Sequence, residues 1–490
     1  MESINRFGPE LLLLAMAGLI LISDLAYGLV SLRLPPRRFI FPGLALAAVA
    51  GSILWLVALV ATDTDGPAFN GAITVDKFSL FFGFLFTSVC AVIIVASLDL
   101  LRGSRYYAEY IALVLASTAG LMLLASGRDL IAIYISLELV SICLYVLVAF
   151  LKDGRSAEAG LKYLLLGAVS SAVILYGMAF LYGLSGSTNL DGIARALAGA
   201  SESQRHAYLF AAVLLTAGLG FKMAVVPFQM WVPDVYEGAP TPITAYLSVG
   251  SKAAGFAVVM RIFLEGLADK AIADDWANMF AVIAVISMTL GNVLALPQSN
   301  IKRLLGYSSI AQAGTFLIGL AAVAANDPQV ALGSSSVLFF LATYAFTNLG
   351  AFAVVIAISS RIQSDRIEDY AGMSRRSPLL ALALTFCLLS LTGIPPTAGF
   401  VAKLYIFDAA VQANLVWLAI AGAVNSVIAA YYYLRIVLTM YTLEPVNAES
   451  FLPTPPLALA ITMATVGLLV VGIFPFPLID ASETAVRVFG

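Results

Sequence analysis

Charge is scarce in this sequence. Only 11% of its 490 residues are Asp, Glu, Lys or Arg, against 61% that are apolar. A soluble chain of this size could not cover its surface with so little charge, so the composition excludes a soluble globular protein and implies one embedded in lipid. Histidine occurs once, as His206, which excludes a haem or zinc site built on imidazole. The three cysteines, Cys90, Cys143 and Cys387, each lie inside an apolar run. They show no CxxC spacing and no cluster fit for iron–sulfur ligation, and read as core residues. A net charge of −3 offers no footprint for a nucleic-acid partner. No basic region or small-residue cleavage site precedes the first apolar run, so 11–32 is expected to be a retained helix.

What is abundant is long apolar runs. Fourteen are long enough to cross about 30 Å of hydrocarbon. They lie near 10–32, 39–61, 76–98, 106–126, 129–151, 160–185, 206–232, 241–264, 275–296, 301–324, 331–358, 378–411, 413–440 and 455–479, and are numbered spans 1 to 14. The polar connections between them, the longest near 186–205 and 359–377, are too short for a soluble domain. The expected fold is an all-α polytopic membrane protein in one membrane domain, 1–490. Of the 26 Lys and Arg, 15 fall in loops after odd-numbered spans and 8 on the opposite side, Arg261 among the latter and Lys162 among the former. The excess of basic residues places the odd loops in the cytoplasm and both termini outside.

The remaining three cations, Lys222, Lys252 and Lys403, fall mid-span in spans 7, 8 and 12. Ionisable groups inside lipid are costly and mark ion pathways. Lys252 and the acid Glu138 of span 5 lie roughly 13–16 Å deep at about 1.5 Å per residue, beyond comfortable snorkelling. Each sits on a polar helical stripe: Tyr134, Glu138, Ser141 and Tyr145 in span 5, and Thr241, Thr244, Ser248, Lys252 and Gly255 in span 8. Such stripes must face protein or water, as a hydrated proton path needs, although small and hydroxyl residues also serve ordinary helix packing. Span 10 carries Ser308, Gln312 and Thr315, and span 11 carries Tyr344, Thr347 and Asn348.

Two spans that hold a buried lysine also hold helix breakers. "GFKMAVVPFQMW" (220–231) joins Lys222 to Pro227, and "LTGIPPTAGFVAK" (391–403) joins Pro395 and Pro396 to Lys403. Proline removes a backbone donor, so a break inside lipid needs a cavity or side-chain partner. Span 7 is fourth in the group 4–8 and span 12 fourth in the group 9–13, and a second unit of five spans lies upside down relative to the first. Paired broken helices in corresponding places point to a transporter of inverted repeats. The expected division is three N-terminal helices in 1–105, a first five-helix repeat in 106–264, an inverted second in 275–440 and a C-terminal helix in 455–490.

At "VPDVYEGAPTPITAYLSVGSKAAGFA" (232–257), "IKRLLGYSSIAQAG" (301–314), "DRIEDYAGM" (365–373) and "LTGIPPTAGFVAKLYIF" (391–407) the chain resembles the subunit N family of NADH-quinone oxidoreductase, respiratory complex I. The likeness runs over essentially the whole chain, and "DVYEGAPTP" is the stretch that sets this family apart from its antiporter-like sisters. The resemblance implies a proton-translocating membrane-arm subunit working beside neighbouring antiporter-like and small membrane subunits in a bacterial inner membrane. It implies proton-transfer roles for Glu138, Lys222, Lys252 and Lys403, and for Lys162 in "GLKYLLLGA". It places NAD, FMN, the iron–sulfur clusters and quinone in partner subunits, with no cofactor in this chain. Gln312 stands where many relatives have histidine. Two other readings remain: a subunit of a cation/proton antiporter, and a structural spacer that does not conduct.

Overall fold

The computed structural model describes residues 2–29, 37–102, 104–323, 330–445 and 449–489; Arg33 of the charge count lies outside them. Among the described residues, thirteen helices are long and apolar enough to cross a membrane. The remaining span, expected at 378–411, is two helices of 15 residues each, Pro378–Thr392 and Ala398–Gln412. Span 7 is likewise divided, into Glu202–Met223 and the short helix Val232–Gly238, with Pro227 in the link. The chain is therefore an all-α polytopic fold with two broken helices.

Local chemistry fixes where the spans begin. Asp129 caps span 5 (Leu130–Val148), Asp153 caps span 6 (Gly154–Ser185) and Asn300 caps span 10 (Ile301–Ala322), each accepting backbone N–H groups that the first turn leaves free. Asp76 and Ser79 form a capping box at span 3 (Lys77–Ser97). The breaks share a second local device. Each upstream helix ends on a left-handed residue, Ala224 (φ 62°) and Gly393 (φ 90°). In each, the following N–H reaches back five residues, from Val225 to Gly220 O at 3.0 Å and from Ile394 to Leu389 O at 3.0 Å.

Span 8 (Thr241–Gly266) is the centre of the molecule. Every residue of its apolar window is buried, as are 94% of those in spans 10 and 11, against 28% in the peripheral spans 1 and 14. Glycines bring the inner helices close. A Cβ on Gly314 would meet Ala284 O at 2.7 Å, and one on Gly291 would meet Ala311 N at 2.6 Å, so spans 9 and 10 pack backbone to backbone.

Several expectations are corrected. Arg261 is not in a loop; it lies inside span 8, fully buried, bonded to Asp76, Glu265 and Ala125 O and stacked 4.6 Å from the Phe78 ring. Its position nine residues beyond Lys252 suited a span end by count, and of the acidic partners that let it stay inside, Glu265 is one turn on in the same span while Asp76 comes from the start of span 3. Lys162 is not in a loop either, but on the third turn of span 6. The connection 186–205 contains an amphipathic helix, Leu190–Ala198, that buries Leu190, Ile193 and Leu197. The segment after 455 is two helices rather than one, Pro455–Ile473 and Phe476–Val486. A small hairpin, Gly66–Ala68 paired antiparallel with Ile73–Val75, joins spans 2 and 3.

Candidate functional site

The two prolines of span 12 explain the placement of its lysine. A helical carbonyl needs the N–H four residues on, and Pro395 and Pro396 have none to give Leu391 and Thr392. Lys403 fills both vacancies: its Nζ donates to Leu391 O at 3.1 Å and Thr392 O at 2.8 Å, and also to Ser426 Oγ at 3.0 Å. An ammonium at a helix C-terminus is also where the helix dipole favours a cation. The turn is so tight that a Cβ on Gly399 would meet Ser390 O at 1.9 Å.

The break in span 7 is used differently. Pro227 stands four residues beyond Met223, but the carbonyls of the last turn are taken by other groups. Phe221 O accepts the indole N–H of Trp231 at 3.0 Å, and Gly220 O accepts the Val225 N–H. Lys222 itself is buried, and its Nζ has no hydrogen-bond partner. The nearest aromatic face is Tyr163, with its ring centroid 5.9 Å away. Gly255 of span 8 lies against it, where a Cβ would meet Lys222 at 3.3 Å.

Glu138 is half-buried rather than enclosed. Its carboxylate accepts the Ser171 hydroxyl, and Tyr134 Oη lies 3.2 Å from the same serine oxygen. On its other side Glu138 lines a crevice of about 910 Å³ with Glu109, Tyr145 and Lys152. No ion pair joins Glu138 to Lys222, so the opposed charges are held apart in this conformation.

Lys252 sits directly after a π-helical turn, Leu247–Ser251, in the middle of span 8. Turns of this kind are frequent at functional sites. Its Nζ donates to Ser309 O and, at 2.5 Å, to Ser309 Oγ. Tyr344 donates to the same Oγ at 3.1 Å. With both lone pairs engaged, the Ser309 hydroxyl proton points to the one neighbour left, Tyr236 Oη at 3.3 Å. One turn further along span 10, Gln312 Nε2 donates to Leu391 O at 3.0 Å, the carbonyl that Lys403 also uses. Two polar clusters thus lie about one turn apart along span 10: Tyr236, Ser309 and Lys252, and then Gln312 with Lys403. The hydroxyl stripes have partners too: Ser248 accepts from Asn348 at 2.6 Å, Thr347 meets Ser390 at 3.0 Å, and Ser308 bonds Tyr433. Thr315 instead bonds its own helix at Ala311 O, as packing residues do.

Lys162 stands apart, on a charged cluster at the face where spans 6, 8 and 10 begin. Its Nζ donates to Asp234 at 2.7 Å and Glu158 at 2.8 Å. The sequence reading missed Ser171, Ser309, Tyr236 and Ser426. A lone hydroxyl in an apolar helix carries no mark of function; only the helix stripe around Ser308 and Gln312 pointed near Ser309. Among the described residues, no group of three or more His, Cys, Asp or Glu is placed to hold a metal ion, and the three cysteines are free and buried.

Residues 127–429 match the family described as NADH:quinone oxidoreductase/Mrp antiporter, TM. An NADH-quinone oxidoreductase subunit N from Dehalococcoides mccartyi is 45% identical over 490 residues, covering 98% of this chain and 99% of that one. A chain of respiratory complex I from Thermus thermophilus superposes with TM-score 0.79 at 33% identity, covering 96% of this chain and 99% of that chain. A chain of the Mrp complex from Dietzia shares the fold, with TM-score 0.81 at 21% identity over 99% of this chain and 96% of that one.

Proposed function

Because the chain belongs to the subunit N family of NADH-quinone oxidoreductase, antiporter-like subunits of the membrane arm, we propose that it carries protons across a bacterial inner membrane while partner subunits oxidise NADH and reduce quinone. The redox groups, NAD, FMN, iron–sulfur clusters and quinone, belong in this reading to those partners. The observation that carries it is that Lys222, Lys252 and Lys403 place buried ammonium groups inside the spans, with Lys252 hydrogen-bonded to Ser309 of span 10 and Lys403 sharing the Leu391 carbonyl with Gln312 of the same span. Buried cations of this kind mark ion paths because they are too costly to keep for packing alone.

In this reading Lys252 is the central relay. It holds a proton between Ser309 and the groups beyond it, and Gln312 orients the carbonyl that Lys403 shares. Lys403 is the group nearer the outer side. Glu138 and Lys222 form a modulating pair, open in this conformation. Glu138 must leave Ser171 for the pair to close, and closing would compensate the unpartnered charge of Lys222. Lys162, at the cytoplasmic face, loads the path. The two five-helix units 106–264 and 275–440 are the inverted repeats that frame it, with the odd loops cytoplasmic and both termini outside. Support for the repeats comes from the matching breaks at Ala224 and Gly393 and from a matching backbone bridge: Asp129 with Asn189, and Asn300 with Arg366.

The test is Lys252→Met in the assembled complex, with NADH-driven quinone reduction and proton uptake measured in membrane vesicles. Loss of uptake is expected, and uptake at the parent rate would sink the reading. Sodium-dependent transport by a preparation stripped of peripheral-arm subunits would favour a cation/proton antiporter instead.

A further inference from the structure

The stretch Asp234–Pro240, "DVYEGAP", follows the break in span 7, bonds Lys162 directly and reaches Lys252 only through Ser309. Asp234 Oδ2 accepts from Lys162 of span 6 at 2.7 Å, while Oδ1 accepts from Arg303 of span 10 at 2.7 Å. One carboxylate thus joins the two halves of the molecule. Three more contacts fasten the same short helix to span 10: Glu237 to Arg303 at 3.1 Å, Ala239 O to Lys302 at 2.8 Å, and Tyr236 to Ser309 at 3.3 Å. Gly238 seats it against span 6, where a Cβ would meet Ala159 Cβ at 2.6 Å and Arg155 O at 2.8 Å. Trp231, just upstream, holds the carbonyl of Phe221 beside Lys222.

We infer that Asp234 is a positioning residue: its shared carboxylate holds the helix Val232–Gly238 where Tyr236 takes the Ser309 proton and so aims the Ser309 oxygen at Lys252. The inference rests on the proton-relay reading of Lys252 and adds to it a control point two residues away from Tyr236 on the same short helix. The geometry is specific. Tyr236 lies two residues beyond Asp234, on a different face of the short helix, and Ser309 lies six residues beyond Arg303, so the ion pair and the hydroxyl contact are two separate attachments of that helix to span 10. Asp234 touches no atom of Lys252, and acts only through Tyr236 and Ser309. The carboxylate shared by two cations makes two of the charge-assisted contacts on this helix, a class of hydrogen bond about twice as strong as neutral ones.

The experiment uses the assembled complex in membranes, with assembly checked on native gels. Proton uptake and quinone reduction are measured for Asp234→Asn, Asp234→Glu, Tyr236→Phe, the Asp234→Asn/Tyr236→Phe pair, and Lys252→Met. Asp234→Asn should slow coupled turnover about tenfold, the scale of one charge-assisted hydrogen bond. Asp234→Glu should recover most of the rate, because it restores the charge. Adding Asp234→Asn to Tyr236→Phe should cost less than about twofold more, since Asp234 acts only through Tyr236. Parent-level turnover in Asp234→Asn, or losses that multiply in the pair, would overturn the inference. Should the Asn variant fail to assemble, Arg303→Gln decides. It removes the charge whose Nη1 serves both Asp234 and Glu237, so it must slow turnover by a similar factor, and an unchanged rate counts against the inference. Parent-level pumping in Lys252→Met would instead remove the underlying relay reading.

Discussion

Replacing Lys403 by methionine separates transport from stability. The side chains are close in volume, so packing is kept. The ammonium makes three contacts, but two of their acceptors keep other bonds. Leu391 O retains Gln312, and Ser426 still bonds Gly422 O at 3.0 Å. Only Thr392 O is stranded, because Pro396 cannot reach it with an N–H. A stranded buried carbonyl costs about 1–3 kcal/mol. Against this, the variant no longer buries a charge, whose desolvation costs several kcal/mol. The two nearly cancel, so Lys403→Met should assemble at parent yield and shift stability by less than about 2 kcal/mol. Transport should not survive, because methionine offers no proton to hold, and NADH-driven proton uptake should fall at least about tenfold. The assay pairs native-gel yield of the complex with uptake in membrane vesicles. Failure to assemble would refute the energetic argument; full uptake in an assembled variant would refute the role of Lys403.

Glu138→Ala and Lys222→Ala should each impair coupled quinone reduction, and the double variant should lose less than the sum of the two, because the second loss strands no charge; strictly additive losses would show that the residues act independently. Gly399→Ala should abolish assembly, since its Cβ would meet the Ser390 carbonyl at 1.9 Å with only backbone to move; normal yield would show that the break can open without cost. Cysteines placed in the 361–376 loop should label with a membrane-impermeant reagent only from the cytoplasmic side, and labelling from outside would invert the proposed orientation. For Asp234, burial raises the carboxyl, but the hydrogen bonds from Lys162 and Arg303 outweigh it and hold it below the usual carboxylate range. Its stabilising contribution is therefore complete above the unfolded value near pH 4 and lost only as pH falls through the lowered one. The difference in thermal stability between parent and Asp234→Asn membranes should stay constant from about pH 5.5 to 8.5; a gap that shrinks toward pH 6 would contradict the ion pair.

Much of the architecture is legible in the sequence because lipid imposes a strong pattern. Apolar length alone finds the spans, and proline beside a mid-span lysine finds both breaks. The limits are tertiary. Arg261 looks like a span-end cation by counting, and only the folded chain brings Asp76 to it beside its helix neighbour Glu265. Glu138 is separated from Lys222 because a serine on span 6 competes for its carboxylate, and nothing in either helix's own sequence announces that serine. The double proline reads as an interruption; that it bares the carbonyls of Leu391 and Thr392 for Lys403 depends on how the chain turns back after Gly393. "DVYEGAP" is legible as a family marker, but its contacts with spans 6 and 10 need both helices in place.

The wide turn at Leu247–Ser251 has a consequence for chain length. A helix bonded five residues apart holds one residue more per turn than a helix bonded four apart. That extra residue is absorbed within the turn, so the segments on either side keep the rotation they would have in an uninterrupted α-helix one residue shorter. Span 8 is therefore a place where the polypeptide can lose a single residue without turning Lys252 away from Ser309 or Thr244 away from Tyr236. In the α-helical stretches of the buried spans, by contrast, one residue more or less would rotate the remainder by about 100° and turn its polar groups away from their partners.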